Sequence, residues 1–283
     1  MEPSRIIRTA NQSDVAHIKY FLSRKPFLHR HLDWREPLDW IGAPNFLLRL
    51  DKREQIEAMF CCTPEIGDMY WLRIFACKHQ STANSVWQSL FTHFITTEKI
   101  NHSKTRIFSL AYQTWTIKML EIEGWEKIGD IVQFEMCKNF PTEQRKPHQN
   151  HNIRRMKRYD LKQAYVIDHD SFAGTWQLSF ETFQLSFNQS EYATVYVDDG
   201  KILGFQISTI QNNRAHLARI VVDINHRGRH IGKSLVVDFL EHCDKENIQN
   251  ISVNTQKNNR NSISLYQGLG FTKKSEIYPV FAY

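Results

Sequence analysis

Residues 215–240 read AHLARIVVDINHRGRHIGKSLVVDFL, and residues 251–271 read ISVNTQKNNRNSISLYQGLGF. The apolar run Leu217 to Val222 predicts a buried strand. It enters a Gly- and Arg-rich turn, Arg227-Gly228-Arg229-His230-Ile231-Gly232, and the amphipathic stretch Lys233 to Cys243 predicts a helix beyond it. A turn that opens a helix aims unpaired backbone N–H groups at one spot, and the helix dipole adds positive potential there. Such a site suits a pyrophosphate. Arg227, Arg229 and Lys233 supply cations around it.

The second run ends on Asn259, Tyr266 and Gly270-Phe271, in the order N-x-x-S-x-x-L-Y-x-x-x-G-F. Taken together, the turn and this run resemble the acetyl-CoA-binding core of the GNAT N-acetyltransferase superfamily. The resemblance covers roughly residues 152–280. It implies that Arg227, Gly228, Arg229, His230, Ile231, Gly232 and Lys233 hold the CoA phosphates. It also implies that the strand splays from its neighbour, so that backbone N–H groups of Ile220, Val221 and Val222 meet the thioester and pantetheine. By the same likeness Asn259 contacts CoA and the Tyr266 hydroxyl sits near the sulfur. One departure stands out: His230 occupies a position where the family has Gly. Gly serves where φ is positive or a ligand comes close, and His adopts positive φ at a cost.

A neutral phenol can hydrogen-bond to a leaving thiolate or protonate it, so Tyr266 is the candidate acid. The base is less plain. Many relatives carry a Glu near the start of this strand, but no Glu occurs between Gly200 and Glu241. His216 stands at a suitable place, with an ordinary pKa of roughly 6.5. Glu181, Asp168 and Asp170 are weaker options. Phe172, Trp176, Phe180 and Phe183 make an aromatic segment that, by the resemblance, borders the acceptor groove; the spacing fits a core equally well.

The chain also repeats itself. Offset by 146 positions, Arg8 meets Arg154, Asp14 meets Asp160, Leu72-Arg73-Ile74 lies over Ala218-Arg219-Ile220, and Gly124-Trp125 lies over Gly270-Phe271, with no gap. A tandem duplication of one α/β unit follows. The expected architecture is α/β (α+β): two tandem GNAT-like domains, 1–140 and 152–283, each a mixed, mostly antiparallel sheet flanked by helices. A polar linker with two Pro, 141–151, joins them. How a short tail after Phe271 completes the second sheet is open, and a strand from elsewhere is one answer. Under the offset the turn falls on Ser81-Thr82-Ala83-Asn84-Ser85-Val86, and Tyr266 falls on Leu120. The first half is thus expected to be a degenerate copy that does not bind CoA in the usual way.

With 41% hydrophobic and 23% charged residues, the 283-residue chain can build real cores. A net charge of +6 fits an anionic ligand but is too dispersed to argue nucleic acid. The odd number of Cys and the lack of a C-x-x-C pair speak against structural zinc or a disulfide framework. No signal-type or spanning apolar run is seen, so a cytoplasmic, soluble protein without membrane contact is expected. The sequence reading is therefore transfer of an acetyl group from acetyl-CoA, without a metal, to a primary amine on a small molecule or peptide. A catalytically silent CoA-binding or regulatory module is the alternative. The acceptor and the oligomeric state stay open.

Overall fold

A computed structural model describes residues 6–101, 104–137 and 152–283; the expected linker, 141–151, lies outside the described residues. The chain forms two compact units, but not along the expected boundary. Unit 1 is Met1–Gly129 with Tyr278–Tyr283, and unit 2 is Asp130–Ile277. Each half gives its last strand segment to the other unit.

In unit 2, strand β7 (Glu126–Cys137) contributes its residues from Asp130 onward. They pair antiparallel with β12 (Asn250–Gln256), from Asn250↔Cys137 to Gln256↔Ile131. β12 runs parallel to β11 (Arg214–Val222), and β11 is antiparallel to β10 (Lys201–Gln211). β9 (Tyr192–Asp198) and β8 (Ile153–Arg155) complete the sheet. Helices α4 (Leu161–Ser171) and α5 (Phe180–Asn188) cover one face, where Phe183 meets Phe205 edge-on at 5.4 Å. Helices α6 (Ile231–Lys245) and α7 (Arg260–Gly268) cover the other. There Val132, Phe134 and Met136 share a core with Leu217, Val253, Phe239, Tyr266 and Phe271. Apolar burial on alternate residues of β7 is what fixes its register against β12. This donated strand answers how the second sheet is completed. The last strand, β13 (Thr272–Ala282), gives Val280, Phe281 and Ala282 to unit 1 instead.

Unit 1 has the matching plan. β1 (Ile7–Thr9), β3 (Phe46–Leu50), β4 (Ile56–Ile66) and β5 (Met69–Cys77) run antiparallel in that order. β6 (Arg106–Leu110) lies parallel to β5 and antiparallel to the end of β13. α1 (Val15–Ser23), α2 (Ala83–Thr97) and α3 (Thr114–Ile122) pack on the sheet. Trp87, Phe91, Phe94, Trp125 and Phe281 form the larger core.

The repeat is visible atom by atom. Arg8 holds Asp14 through two bonds of 2.7 and 2.6 Å, and Arg154 holds Asp160 through two of 2.7 and 2.8 Å. Asp160 also accepts the Lys157 N–H, as Asp14 accepts that of Asn11, so it closes a turn ahead of α4 rather than capping the helix with its side chain. Gly124 and Gly270 both have positive φ. One-residue bulges interrupt β4/β5 at Cys61–Cys62 and β10/β11 at Ile207–Ser208.

Unit 1 also buries His29 completely, and burial pushes its pKa down to about 4. The folded protein therefore refuses a proton that the unfolded chain accepts below about pH 6.5. Stability present above that pH falls as pH drops through the window from 6.5 towards 4, by about 3 kcal/mol. Urea midpoints measured from pH 7 to 4.5 should fall for the wild type and fall less for His29→Gln; parallel slopes would contradict this.

Candidate functional site

The site of unit 2 starts where β11 and β12 part. Their pairing runs from Arg214↔Asn250 only as far as Leu217↔Val253. β11 continues to Val222, still paired with β10. The Asp223 N–H bonds to the Leu203 carbonyl at 2.9 Å. By strand alternation, Val221 also faces β10, while the peptide groups of Ile220 and Val222 face the gap. The Val222 carbonyl agrees with this direction, taking bonds from Arg227 Nε (3.3 Å) and Ser171 Oγ (3.4 Å) instead of from β10. A gap edged by backbone donors is the geometry expected of the splayed strand, with Ile220 and Val222 as its donors and Val221 turned away.

At the end of β11, Asp223 holds Asn225 N–H (2.7 Å) and His226 Nδ1 (3.1 Å), shaping one tight turn. Residues Arg227 to His230 are exposed. Gly228 has φ +79° and His230 φ +61°, so His230 sits in the left-handed region that the sequence expects of a Gly position. The first bond inside α6 is Ser234 N–H to His230 O, 3.0 Å. The amides of Ile231, Gly232 and Lys233 thus point out of the helix N-terminus. A Cβ on Gly232 would lie 3.5 Å from Val222 and 3.8 Å from Leu265, an ordinary contact. The protein's own packing does not demand Gly there; its effect is bare backbone beside the gap. The left-handed conformation costs His230 about 1–2 kcal/mol. His230→Gly should raise the melting temperature while holding or improving acetyl-CoA affinity. A loss beyond about tenfold would mean that the imidazole itself grips the ligand.

The remaining sequence candidates separate by face. Tyr266 lies on the α6–α7 face, 2% exposed, with its ring 6.0 Å from Phe134 and 5.8 Å from Phe271. Burial pushes its phenol well above the ordinary value, with the Ser262 side chain beside it opposing. His216 points to the opposite face. Its Nδ1 is 2.9 Å from Ser252 Oγ, one residue pair before the strands part, and both line an open cavity of about 540 Å³ with Thr209, Gln211 and Arg214. Burial lowers the His216 pKa to about 4, so at neutral pH it is uncharged and a weak base. Asn259 is the N-cap of α7: its Oδ1 accepts the Ser262 N–H at 3.2 Å. Asp168 is tied by both oxygens to Arg219 and buried, which removes it as a free base. Glu181 and Asp170 are exposed. Among the described residues no group of His, Cys, Asp and Glu converges as a metal site.

Unit 1 closes the same gap with its own chain. β5 pairs β6 only as far as Trp71↔Phe108, the repeat equivalent of Leu217. Beyond it, strand β2 (Phe27–Arg30) pairs along β5 from Arg30↔Ile74 to Phe27↔Cys77. Ile74, Phe75 and Ala76 are the repeat equivalents of Ile220, Val221 and Val222. The edge open in unit 2 is hydrogen-bonded in unit 1. His29 is held in β2 with its Nε2 3.3 Å from Ser109 Oγ. The sequence contains no signal for β2 beyond four residues after Pro26.

Comparison with known proteins agrees with this picture. The family profile described as "Acetyltransferase (GNAT) family" matches residues 158–271. The [ribosomal protein bS18]-alanine N-acetyltransferase of Escherichia coli K12 is 26% identical over 123 residues, 42% of this chain and 82% of that protein. A Bacillus subtilis protein named as a putative enzyme of the same kind is 24% identical over 118 residues, 42% of this chain and 78% of its own. Among solved structures, a tandem GNAT protein from the clavulanic acid biosynthesis pathway superposes with a TM-score of 0.70 at 12% identity, covering 99% of this chain and 98% of its own. A GCN5-related N-acetyltransferase from Sphaerobacter thermophilus gives 0.64 at 16%, over 100% and 96%. At such identities the structures speak for the fold alone.

Proposed function

We propose that the chain is a tandem-domain acetyl-CoA-dependent acyltransferase of the GNAT superfamily, and that its single working site is the gap between β11 and β12 in unit 2. The observation that carries this reading is the unpaired edge at Ile220 and Val222 leading into the Arg227–Lys233 turn. The turn and the first amides of α6 take the pyrophosphate, with Arg227, Arg229 and Lys233 as counter-charges. The pantetheine arm enters the gap, and the thioester oxygen takes hydrogen bonds from the Ile220 and Val222 N–H groups.

A neutral amine then attacks the carbonyl carbon from the α4–α5 face. The C–N bond forms, the carbonyl oxygen becomes an oxyanion, and its collapse expels the CoA thiolate. Tyr266, on the opposite face, gives the thiolate a hydrogen bond; its raised pKa makes it a better donor than acid. The amine's proton leaves by the His216 side, where an uncharged imidazole offers a lone pair but little driving force. The Escherichia coli relative, named for N-acetylating a ribosomal-protein alanine, supports a peptide N-terminus as acceptor. The silent-module reading is favoured by the low His216 pKa. Release of CoA thiol from acetyl-CoA, assayed with an alanine-initiated peptide and with a panel of small amines, separates the two: amine-dependent release supports the transferase, and tight binding without it supports the module.

A further inference from the structure

Arg219 neighbours Ile220 on β11 but points to the other face, towards α4 and α5. Its Nε and Nη2 bond both oxygens of Asp168, at 2.6 and 2.7 Å, and Nη2 also bonds the Trp176 carbonyl at 3.0 Å. The guanidinium lies 3.9 Å over the Phe172 ring. The Asp168 side chain is fully buried and that of Arg219 is 12% exposed. One side chain therefore grips the end of α4 and two points of the loop that follows it, Phe172 and Trp176. Gln177 adds a bond from its side chain to the His169 carbonyl.

Unit 1 carries an arginine at the equivalent position. Arg73 is the bulged residue of β5, bonded to Thr63, Asp33 and Glu65 and stacked 5.1 Å from Trp40. The acidic partners differ: the repeat equivalent of Asp168 is Leu22. In both units the arginine ties the segment after the first helix to this strand. A bidentate fork over an aromatic ring is rigid in a way that Lys is not.

We propose that Arg219 and Asp168 are a positioning pair that holds the loop 172–179 as the acceptor-side wall of the transfer site. This rests on the function proposed above, because it takes the gap beside Ile220 as the place of attack. Arg219 contacts neither thioester nor amine; it acts through Phe172 and Trp176. The loop and His216 lie on one face, and Tyr266 on the other, so the wall should matter to the amine and not to CoA.

The test uses the full chain with Arg219→Lys, Asp168→Asn and Trp176→Ala. Amide hydrogen exchange is followed across residues 172–179 with and without acetyl-CoA, and an alanine-initiated peptide serves as the probe amine. For Arg219→Lys we expect loop exchange to quicken about tenfold or more, with acetyl-CoA affinity held within about threefold. The peptide KM should rise about tenfold in Arg219→Lys and in Trp176→Ala, while the acetyl-CoA KM stays put. Asp168→Asn, which keeps the shape and loses the charge, should fall between these and the wild type. Unchanged loop exchange in Arg219→Lys overturns the proposal, and so does an equal loss for both substrates. Trp176→Ala, which leaves the buried pair intact, guards against a mere folding defect. Failure of the wild type to bind acetyl-CoA counts instead against the proposed function; the loop's exchange still decides the positioning role.

Discussion

A chain cut to residues 152–283, the second domain as the sequence bounds it, should not fold into a working unit. It lacks the β7 residues that pair with β12 and fill the core beneath it. Val132 and Phe134 are fully buried and Met136 nearly so. Each such side chain contributes about 1.5–3 kcal/mol on burial. For the three together that is a large share of the roughly 5–15 kcal/mol by which a domain is stable at all. The cut also leaves β12 as an exposed apolar edge, an invitation to aggregation. Residues 130–277, by contrast, should unfold cooperatively in urea and bind acetyl-CoA. Phe134→Ala in the full chain should cost about 3–5 kcal/mol, because its ring backs Tyr266. Cooperative unfolding of 152–283 would contradict the account.

Tyr266→Phe should leave the fold intact and lower kcat by about 10²-fold or more. The ring keeps its contacts with Phe134 and Phe271, and only the hydroxyl and its Ser262 neighbour are lost. The thiolate then leaves without its donor, while the ground-state thioester is bound as before. Acetyl-CoA affinity by calorimetry should therefore stay within about threefold. Equal losses in affinity and turnover would place Tyr266 in the core alone.

Much of this was legible because local chemistry was enough to show it. The Arg8/Arg154 and Asp14/Asp160 matches in sequence are matching ion pairs in space. The Gly expected at residue 230 is required by a positive φ that His230 does adopt. The short tail after Phe271 left room for a strand from elsewhere, but which strands are exchanged was not legible. β7 and β13 have the burial pattern of any terminal strand, and which sheet each joins depends on the path of the whole chain. Strand β2 is four residues long and adds no periodicity. Asp168 and Arg219 are 51 residues apart, so a carboxylate that reads as a possible base turns out to be an arginine's anchor. Asn259, expected from the sequence as a CoA contact, stands at the start of α7, where its side-chain oxygen caps the helix.

The central claim is that the open β11–β12 gap is a CoA site and the closed β5–β6 gap is not. Calorimetric titration of the full chain with acetyl-CoA tests it most directly, beside a variant carrying Arg227→Ala and Gly232→Val. One site per chain is expected, lost in the variant. Two sites per chain, or binding that survives the variant, would contradict it.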